Sequence, residues 1–395
     1  MLNIEKLRSN QIPVRTTFRG DIPFHMVIKP VGPACNLACR YCYYPQGNEQ
    51  KLKMSDALLE KFIFQYIKGQ PYGCREVNFL WQGGEPLLAG IGFYKKVLNL
   101  QKKYAPEGAI ISNSLQTNGT LINDTWCDFF KKNNFLIGIS LDGDKKIQDA
   151  HRPDRHNKSS YDNTVNGIKL LRNHNIDFNL LMVVHDGVVA QACDLYDHVV
   201  KLGARYLQFQ PLVSSEKNLN STYNLSAKNW GRFMIDIYLH WLRKGDLGKV
   251  FVMNIENIYA QYFFHISPTC VHASHCGSNL VVDAIGRIFS CDHLMNSDNY
   301  LGILADDTEL TDYVKKSICM PFGINKSNRK ECQDCSVKIV CHGGCPVHCT
   351  QGGNNSLCDG YYHFFSTVLE PLKTFSRDKE GFSSWYEVIR KNKIK

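Results

Sequence analysis

The stretch that decides the reading is Cys35-Asn36-Leu37-Ala38-Cys39-Arg40-Tyr41-Cys42. It follows an apolar run, Phe24–Ile28, that reads as a β-strand. In α/β barrels, chemistry sits on the loops at the carboxyl ends of strands, so the position suits a site. Iron–sulfur cubanes take cysteine thiolates, usually four each. Three are offered here, which leaves one iron open to chelate a small molecule and pass it an electron. Structural zinc wants four protein ligands, and no fourth lies nearby.

Outward from this loop, short apolar runs alternate with amphipathic stretches. The runs are Phe24–Ile28, Val77–Trp81, Ile110–Leu115, Phe135–Leu141, Phe178–Val184 and Tyr206–Leu212, with helical patterns such as Leu58-Leu59-Phe62-Ile63-Tyr66 between them. Six strand-plus-helix units imply parallel strands with crossover helices, too few for a closed eight-strand barrel. The expected class is α/β, an open partial (β/α)6 barrel. Trp230, Phe233, Met234, Ile237 and Trp241 then recur at helical spacing, a core-facing stripe with Gly245 as its stop. From Cys270 to Cys358 cysteine and glycine become dense and periodicity fades, as in a small domain organised by metal. Tyr361–Tyr386 reads as an aromatic-rich helix.

The chain has 395 residues, 44% of them hydrophobic, which fits one large α/β unit plus a smaller one. Its net charge of +9 is spread along the sequence, which argues for a solvated surface and against a nucleic-acid partner. No signal-like or membrane-length apolar run is present, so a cytoplasmic protein without a membrane partner is expected. Sixteen cysteines in a reducing compartment point to metal, not disulfides. Cys74, Cys127, Cys193, Cys319 and Cys349 stand mostly alone.

The cysteine loop resembles that of the radical S-adenosylmethionine superfamily. The resemblance implies a [4Fe–4S] cluster on Cys35, Cys39 and Cys42. Its open iron binds S-adenosylmethionine, which is cleaved reductively to a hydrogen-abstracting 5′-deoxyadenosyl radical. Gln82-Gly83-Gly84-Glu85-Pro86 follows the second strand and resembles the superfamily's Gly-Gly-Glu-Pro loop, where glycine lets backbone approach the cofactor. Cys276, Gly286, Cys291, then Cys332-x2-Cys335-x5-Cys341-x3-Cys345 and Cys358, resemble the SPASM extension of radical enzymes that modify peptides and proteins. Cys270 adds an eighth ligand. The resemblance assigns Cys270, Cys276, Cys291 and Cys345 to one auxiliary [4Fe–4S] cluster, and Cys332, Cys335, Cys341 and Cys358 to another, three clusters in all. By spacing alone the partition stays open: Cys332–Cys335 also fits a zinc knuckle, and Cys349 competes with Cys358 as last ligand.

From His25 to Tyr362 the chain is similar to the anaerobic sulfatase-maturating enzymes. The segments are His25-Met-Val-Ile-Lys-Pro, Trp81-Gln-Gly-Gly-Glu-Pro-Leu-Leu-Ala-Gly, Ser114-Leu-Gln-Thr-Asn-Gly-Thr-Leu-Ile, Leu136-Ile-Gly-Ile-Ser-Leu-Asp-Gly and Ile288-Phe-Ser-Cys-Asp-His-Leu. That resemblance implies oxidation of a sulfatase Cys or Ser, in a Cys/Ser-x-Pro-x-Arg segment, to Cα-formylglycine. It makes Asp292 the base, although a turn aspartate bonding its own backbone looks the same in sequence. It places Tyr41, Gly84, Ser140, Arg152 and Val213 at the cofactor, and Tyr44, Gln82, Gln116 and Asn118 on the substrate side. A guanidinium pairs a carboxylate bidentately, which suits Arg152; Val213 stands where the family often has Leu, and Tyr43-Tyr44-Pro45 where it commonly has Phe-Tyr. A flavodoxin or ferredoxin is the implied electron donor, and a monomer the expected state. The implied domains are an extension at 1–23, the radical SAM barrel at 24–226, linking helices at 227–268, a SPASM domain at 269–363 and a carboxy-terminal helix at 364–395. A peptide maturase forming a cross-link is the alternative within enzymes, and a non-catalytic iron–sulfur electron carrier the alternative outside them. An open iron has no use in a carrier.

Overall fold

A computed structural model describes residues 20–44, 52–213, 224–305, 307–320, 326–327, 329–350 and 353–374, with isolated positions beyond. Pro45, the extension before Gly20 and most of the expected helix after Thr374 lie outside the described residues. The chain divides into two compact units: residues 1–140, 151–178 and 277–321 form the first, and 141–150, 179–276 and 322–395 the second.

In the first unit the strands are β1 (His25–Ile28), β2 (Glu76–Trp81), β3 (Ile110–Thr117) and β4 (Leu136–Ser140). They pair in parallel, with Met26 opposite Phe79, Glu76 opposite Ile110 and Ser114 opposite Leu136. Between them run α1 (Asp56–Lys68), α2 (Ile91–Tyr104) and α3 (Asp124–Lys132). Ser55 caps α1 by accepting from the Leu58 N–H, and Asn123 caps α3 by accepting from Trp126, each satisfying an orphan first-turn donor. The buried faces of α1 and α2 meet β2 in a cluster of Phe62, Tyr66, Phe79, Trp81 and Tyr94, with ring centroids 4.9–6.3 Å apart. Each such side chain taken from water contributes about 1.5–3 kcal/mol. Helix α4 (Lys145–His151), which belongs to the second unit up to Ala150, comes after β4, and α5 (Tyr161–Asn173) follows in the first.

The second unit carries β5 (Phe178–Val184), α6 (Ala192–Lys201), β6 (Tyr206–Pro211), α7 (Ala227–Arg243), β7 (Phe251–Val252) and α8 (Met253–Phe264). Asn179 pairs with Tyr206, and Tyr206 with Phe251, all in parallel. The Trp230, Phe233, Met234, Ile237 and Trp241 face of α7 is buried, and Gly245 follows the helix end in the left-handed region.

A feature absent from the sequence reading completes the first unit. β8 (Asn279–Val282) runs parallel to β1, pairing His25 with Asn279 and Ile28 with Val282. β9 (Arg287–Phe289) and β10 (Tyr300–Ile303) extend it antiparallel, so the sheet order there is β10-β9-β8-β1-β2-β3-β4. Helix α9 (Leu310–Ile318) covers this end. In the second unit α10 (Lys330–Gln333), α11 (Lys338–Cys341) and α12 (Cys358–Leu369) follow. Gly231 of α7 and Gly360 of α12 let those helices touch: a Cβ on Gly231 would sit 2.9 Å from the Gly360 Cα.

Candidate functional site

Lys29 is the residue after β1, and its N–H donates to Val282 O of β8 at 2.9 Å. Asp292 lies three residues past β9, carried there by the β8–β9 hairpin. Their side chains meet: Lys29 Nζ stands 2.7 Å from Asp292 Oδ1, with Lys29 fully buried. The contact is ionic more than directional, since neither atom makes a well-angled hydrogen bond. The other oxygen, Oδ2, accepts from Tyr43 OH at 2.7 Å and from Gln82 Nε2 at 2.6 Å. The Lys29 ammonium also lies 4.3 Å from the Tyr44 ring centroid and 5.5 Å from that of Tyr43, a cation–π arrangement that offsets part of its lost hydration.

Burial alone would push the Asp292 carboxyl up. The Lys29 ammonium, the His293 ring and the hydrogen bond from Tyr43 outweigh that and hold it below the usual carboxylate range. Tyr43 shows the reverse: burial of its hydroxyl end and the facing carboxylate push the phenol well above its ordinary value. Its ring, half exposed, stacks on His293 at 4.8 Å. An ionised carboxylate offers about four acceptor positions. Tyr43 and Gln82 use two on Oδ2 and the Lys29 ammonium faces Oδ1, so Asp292 retains room for a further donor. This is not a turn aspartate bonding its own backbone.

The cysteine loop is laced to the chain after α4. Ala38 N donates to Pro153 O, Arg40 N to His151 O, and the Arg155 side chain to Cys35 O. Asn118, at the end of β3, donates to Asn36 at 2.9 Å and lies 3.9 Å from Cys35 Sγ. Burial pushes the Cys35 thiol up to about 12, with Glu85, Cys39 and Cys42 adding to the rise. Cys35 and Cys39 are half-buried and Cys42 is exposed; together the three thiols are a donor set that a cationic iron–sulfur core would satisfy, so the loop fits the cluster its spacing implies.

The glycines after β2 serve the protein itself. A Cβ on Gly83 would strike Lys29 Cγ at 2.5 Å, and one on Gly84 would strike Ala34 O at 2.1 Å; both have φ in the left-handed region. Glu85 is fully buried and accepts from Leu87 N, Thr117 OH and Asn118 N. Burial still pushes it up to about 7. Gln116 donates to Ser140 Oγ at 3.1 Å, which joins a residue expected at the substrate to one expected at the cofactor. Arg152 is buried, not a surface arginine, and its guanidinium lies 5.3 Å from the Tyr41 ring centroid. Val213, half-buried after β6, belongs to the second unit.

Seven of the remaining thiols fall into two neighbourhoods in the second unit. Cys345, pushed up to about 12 by burial, is raised further by Cys270 and Cys276. Cys341, also raised to about 12 by burial, feels Cys358, Cys332 and Cys335. Cys349 receives a contact from Arg329 Nη2 at 2.9 Å. Cys291, next to Asp292, is in the first unit. Among the described residues no three His, Cys, Asp or Glu side chains converge as ligands of a single metal ion.

The sequence reading missed Lys29, Tyr43 and the structural part of Glu85. The signal for Lys29 was available: a lysine closing an apolar strand is almost never buried unpaired.

Residues 30–198 match the Radical SAM superfamily. A serine-type anaerobic sulfatase-maturating enzyme of Klebsiella aerogenes is 56% identical over 98% of this chain and 95% of its own length. A cysteine-type anaerobic sulfatase-maturating enzyme of Clostridium novyi is 29% identical, over 88% of this chain and 96% of its own. Among solved structures, native anSMEcpe with bound AdoMet and Kp18Cys peptide superposes with a TM-score of 0.82 at 26% identity, covering 93% of this chain and all of that one.

Proposed function

Because the chain belongs to the anaerobic sulfatase-maturating enzymes of the radical SAM superfamily, we propose that it oxidises a serine of a sulfatase segment to Cα-formylglycine, with Asp292 as the proton acceptor. The family identity makes it a radical SAM enzyme with S-adenosylmethionine and iron–sulfur cofactors. The serine preference is supported by the 56% identity to the serine-type Klebsiella enzyme, against 29% to a cysteine-type relative.

The observation that carries the base assignment is the setting of Asp292 between one buried cation and two hydrogen-bond donors. Converting a CH2–OH to an aldehyde removes one hydrogen atom from Cβ, one proton from oxygen and one electron. When bound at Cys35, Cys39 and Cys42, the cluster with its S-adenosylmethionine supplies the power to take the hydrogen atom. The residues of the chain handle the proton. The buried Lys29 keeps the half-buried Asp292 ionised, Tyr43 and Gln82 fix its plane, and the unused acceptor position takes the substrate hydroxyl proton. A serine hydroxyl is a weaker acid than a thiol, so it needs an ionised, oriented acceptor more. Lys29 and Tyr44, both buried, keep water from the inner side of the ion pair.

The remaining roles belong to the same proposal. Tyr41, Gly84, Ser140, Arg152 and Val213 serve the cofactor, and Tyr44, Gln82, Gln116 and Asn118 the substrate side. Cys270, Cys276, Cys291 and Cys345 hold one auxiliary cluster; Cys332, Cys335, Cys341 and Cys358 hold the other. The domain division at 23/24, 226/227, 268/269 and 363/364, a monomeric state, a flavodoxin or ferredoxin donor and a cytoplasmic site complete it. Among the described residues no helix is long and apolar enough to cross a membrane.

The test uses anaerobically reconstituted protein with reductant, S-adenosylmethionine and matched Ser-x-Pro-x-Arg and Cys-x-Pro-x-Arg peptides. The serine peptide is expected to become two hydrogens lighter at the higher kcat/KM. Asp292→Asn is expected to keep cofactor cleavage and lose product. Full activity in that variant ends the base assignment, and cleavage with no modified peptide ends the function.

A further inference from the structure

Lys326 is buried, with 2% of its surface exposed, and lies in the second unit. Its ammonium donates to three backbone oxygens of one turn: Cys270 O at 2.9 Å, Val271 O at 2.9 Å and Ala273 O at 2.8 Å. Those bonds satisfy all its donors and none of its charge. Among the described residues no carboxylate pairs with it. Moving an ammonium from water into a protein interior costs several kcal/mol, and such charges are kept where an opposite charge repays them. The titratable groups around it are the thiols of Cys276, Cys345 and Cys349 and the rings of His272 and His342. Its hydrogen bonds grip the turn that carries Cys270, and Cys276 follows three residues after Ala273, the last carbonyl it holds. Gly343, two residues before Cys345, packs against the Lys326 backbone, where a Cβ would come within 2.3 Å of its carbonyl oxygen.

Four thiolates outweigh the positive charge of a cubane, so a fully ligated cluster is an anion, and one added electron makes it more negative. Net charge and nearby polar groups set the potential at which that electron is accepted. We propose that Lys326 is the buried counter-cation of the auxiliary cluster to which Cys270, Cys276 and Cys345 are assigned, and that its charge makes that cluster easier to reduce. This rests on the proposed assignment of those cysteines to one cluster. Lys326 touches no reacting atom, so it is a positioning residue acting through the cluster. The electron that an oxidised serine releases needs an acceptor of high enough potential, and a cation beside one auxiliary site biases acceptance toward it.

The experiment is a reductive titration followed by electron paramagnetic resonance. It uses the full chain with Cys35, Cys39 and Cys42 replaced by Ala, so that only auxiliary clusters report. About eight irons per chain are expected. About four or fewer overturns the cluster assignment, and the proposal with it. With eight present, Lys326→Met is expected to move the midpoint of one auxiliary signal to more negative potential and leave the other unchanged. Lys326→Arg is expected to return most of the shift. Wild-type midpoints for both signals in Lys326→Met, with iron intact, overturn the proposal. If Lys326→Met loses iron, Lys326→Gln, which keeps a donor toward the carbonyls, is titrated in its place under the same criterion. Iron lost from both but retained in Lys326→Arg supports the need for the charge; iron lost from all three makes Lys326 a structural clamp and overturns it.

Discussion

Replacing Lys29 by Met removes the charge beside Asp292 and keeps most of the packing volume against Gly83 and Tyr44. Removing one partner of a buried ion pair typically costs about 3–5 kcal/mol, and Lys29 is fully buried with its ammonium 2.7 Å from the carboxylate. The loss cannot exceed the cost of protonating Asp292, since burial, no longer opposed by Lys29, pushes that carboxyl up. The sign with pH follows. In the wild type the folded value lies below the ordinary one, so the stabilisation is full above the ordinary carboxylate range and is lost as pH falls through the folded value. In Lys29→Met the carboxyl moves upward, so ionisation at neutral pH opposes folding and acid relieves it. The stability gap between the two proteins, read by urea unfolding, is therefore expected to be widest at neutral pH and to narrow toward acid. Catalysis separates the effect from mere damage. Cofactor cleavage to methionine and deoxyadenosine persists, because the cysteine loop is held by other partners. Aldehyde formation falls by roughly 10²–10⁴, the usual worth of a positioned proton acceptor. Product at the wild-type rate in Lys29→Met, with peptide mass as the readout, would refute the reasoning that the ammonium keeps Asp292 competent.

Gly84→Ala places a Cβ 2.1 Å from Ala34 O with φ at +51°, and backbone cannot yield as a side-chain tip can. A cost of about 1–3 kcal/mol should displace the chain just before Cys35, lowering iron from about twelve to about eight per chain. Gly231→Ala should instead spare the iron and lower thermal stability by about 1–3 kcal/mol, because it forces α7 and α12 apart at Gly360.

The six parallel strands were legible because each is buried on both faces or alternates cleanly: Phe178–Val184 and Val77–Trp81 announce themselves as apolar runs bounded by polar turns. β7, two residues long, and β8, four, carry too little pattern to be separated from loop. The cysteines were legible for a different reason. Ligand spacing is a local property, and iron chemistry fixes residue type. Asp292 was reached only through family resemblance, since one aspartate after a cysteine has no period and no spacing of its own.

Lys29 and Asp292 are separated by most of the chain, and no local rule joins them. What joins them is the pairing of β8 on β1, Ile28 opposite Val282, with the Lys29 N–H closing on Val282 O. That register sets the lysine at the strand end, and the β8–β9 hairpin, turning at Gly286 with φ +86°, returns the chain toward it with Cys291 and Asp292 past its far end. Leu280, Val281 and Val282 are all buried, so a one-residue slip that set Asn279 in the place of Leu280 would bury a polar amide among apolar neighbours. The buried ion pair penalises the same slip a second time, because a displaced Asp292 leaves the Lys29 ammonium buried and alone. The residues proposed to accept the proton are thereby also a device that specifies the register on which the site depends.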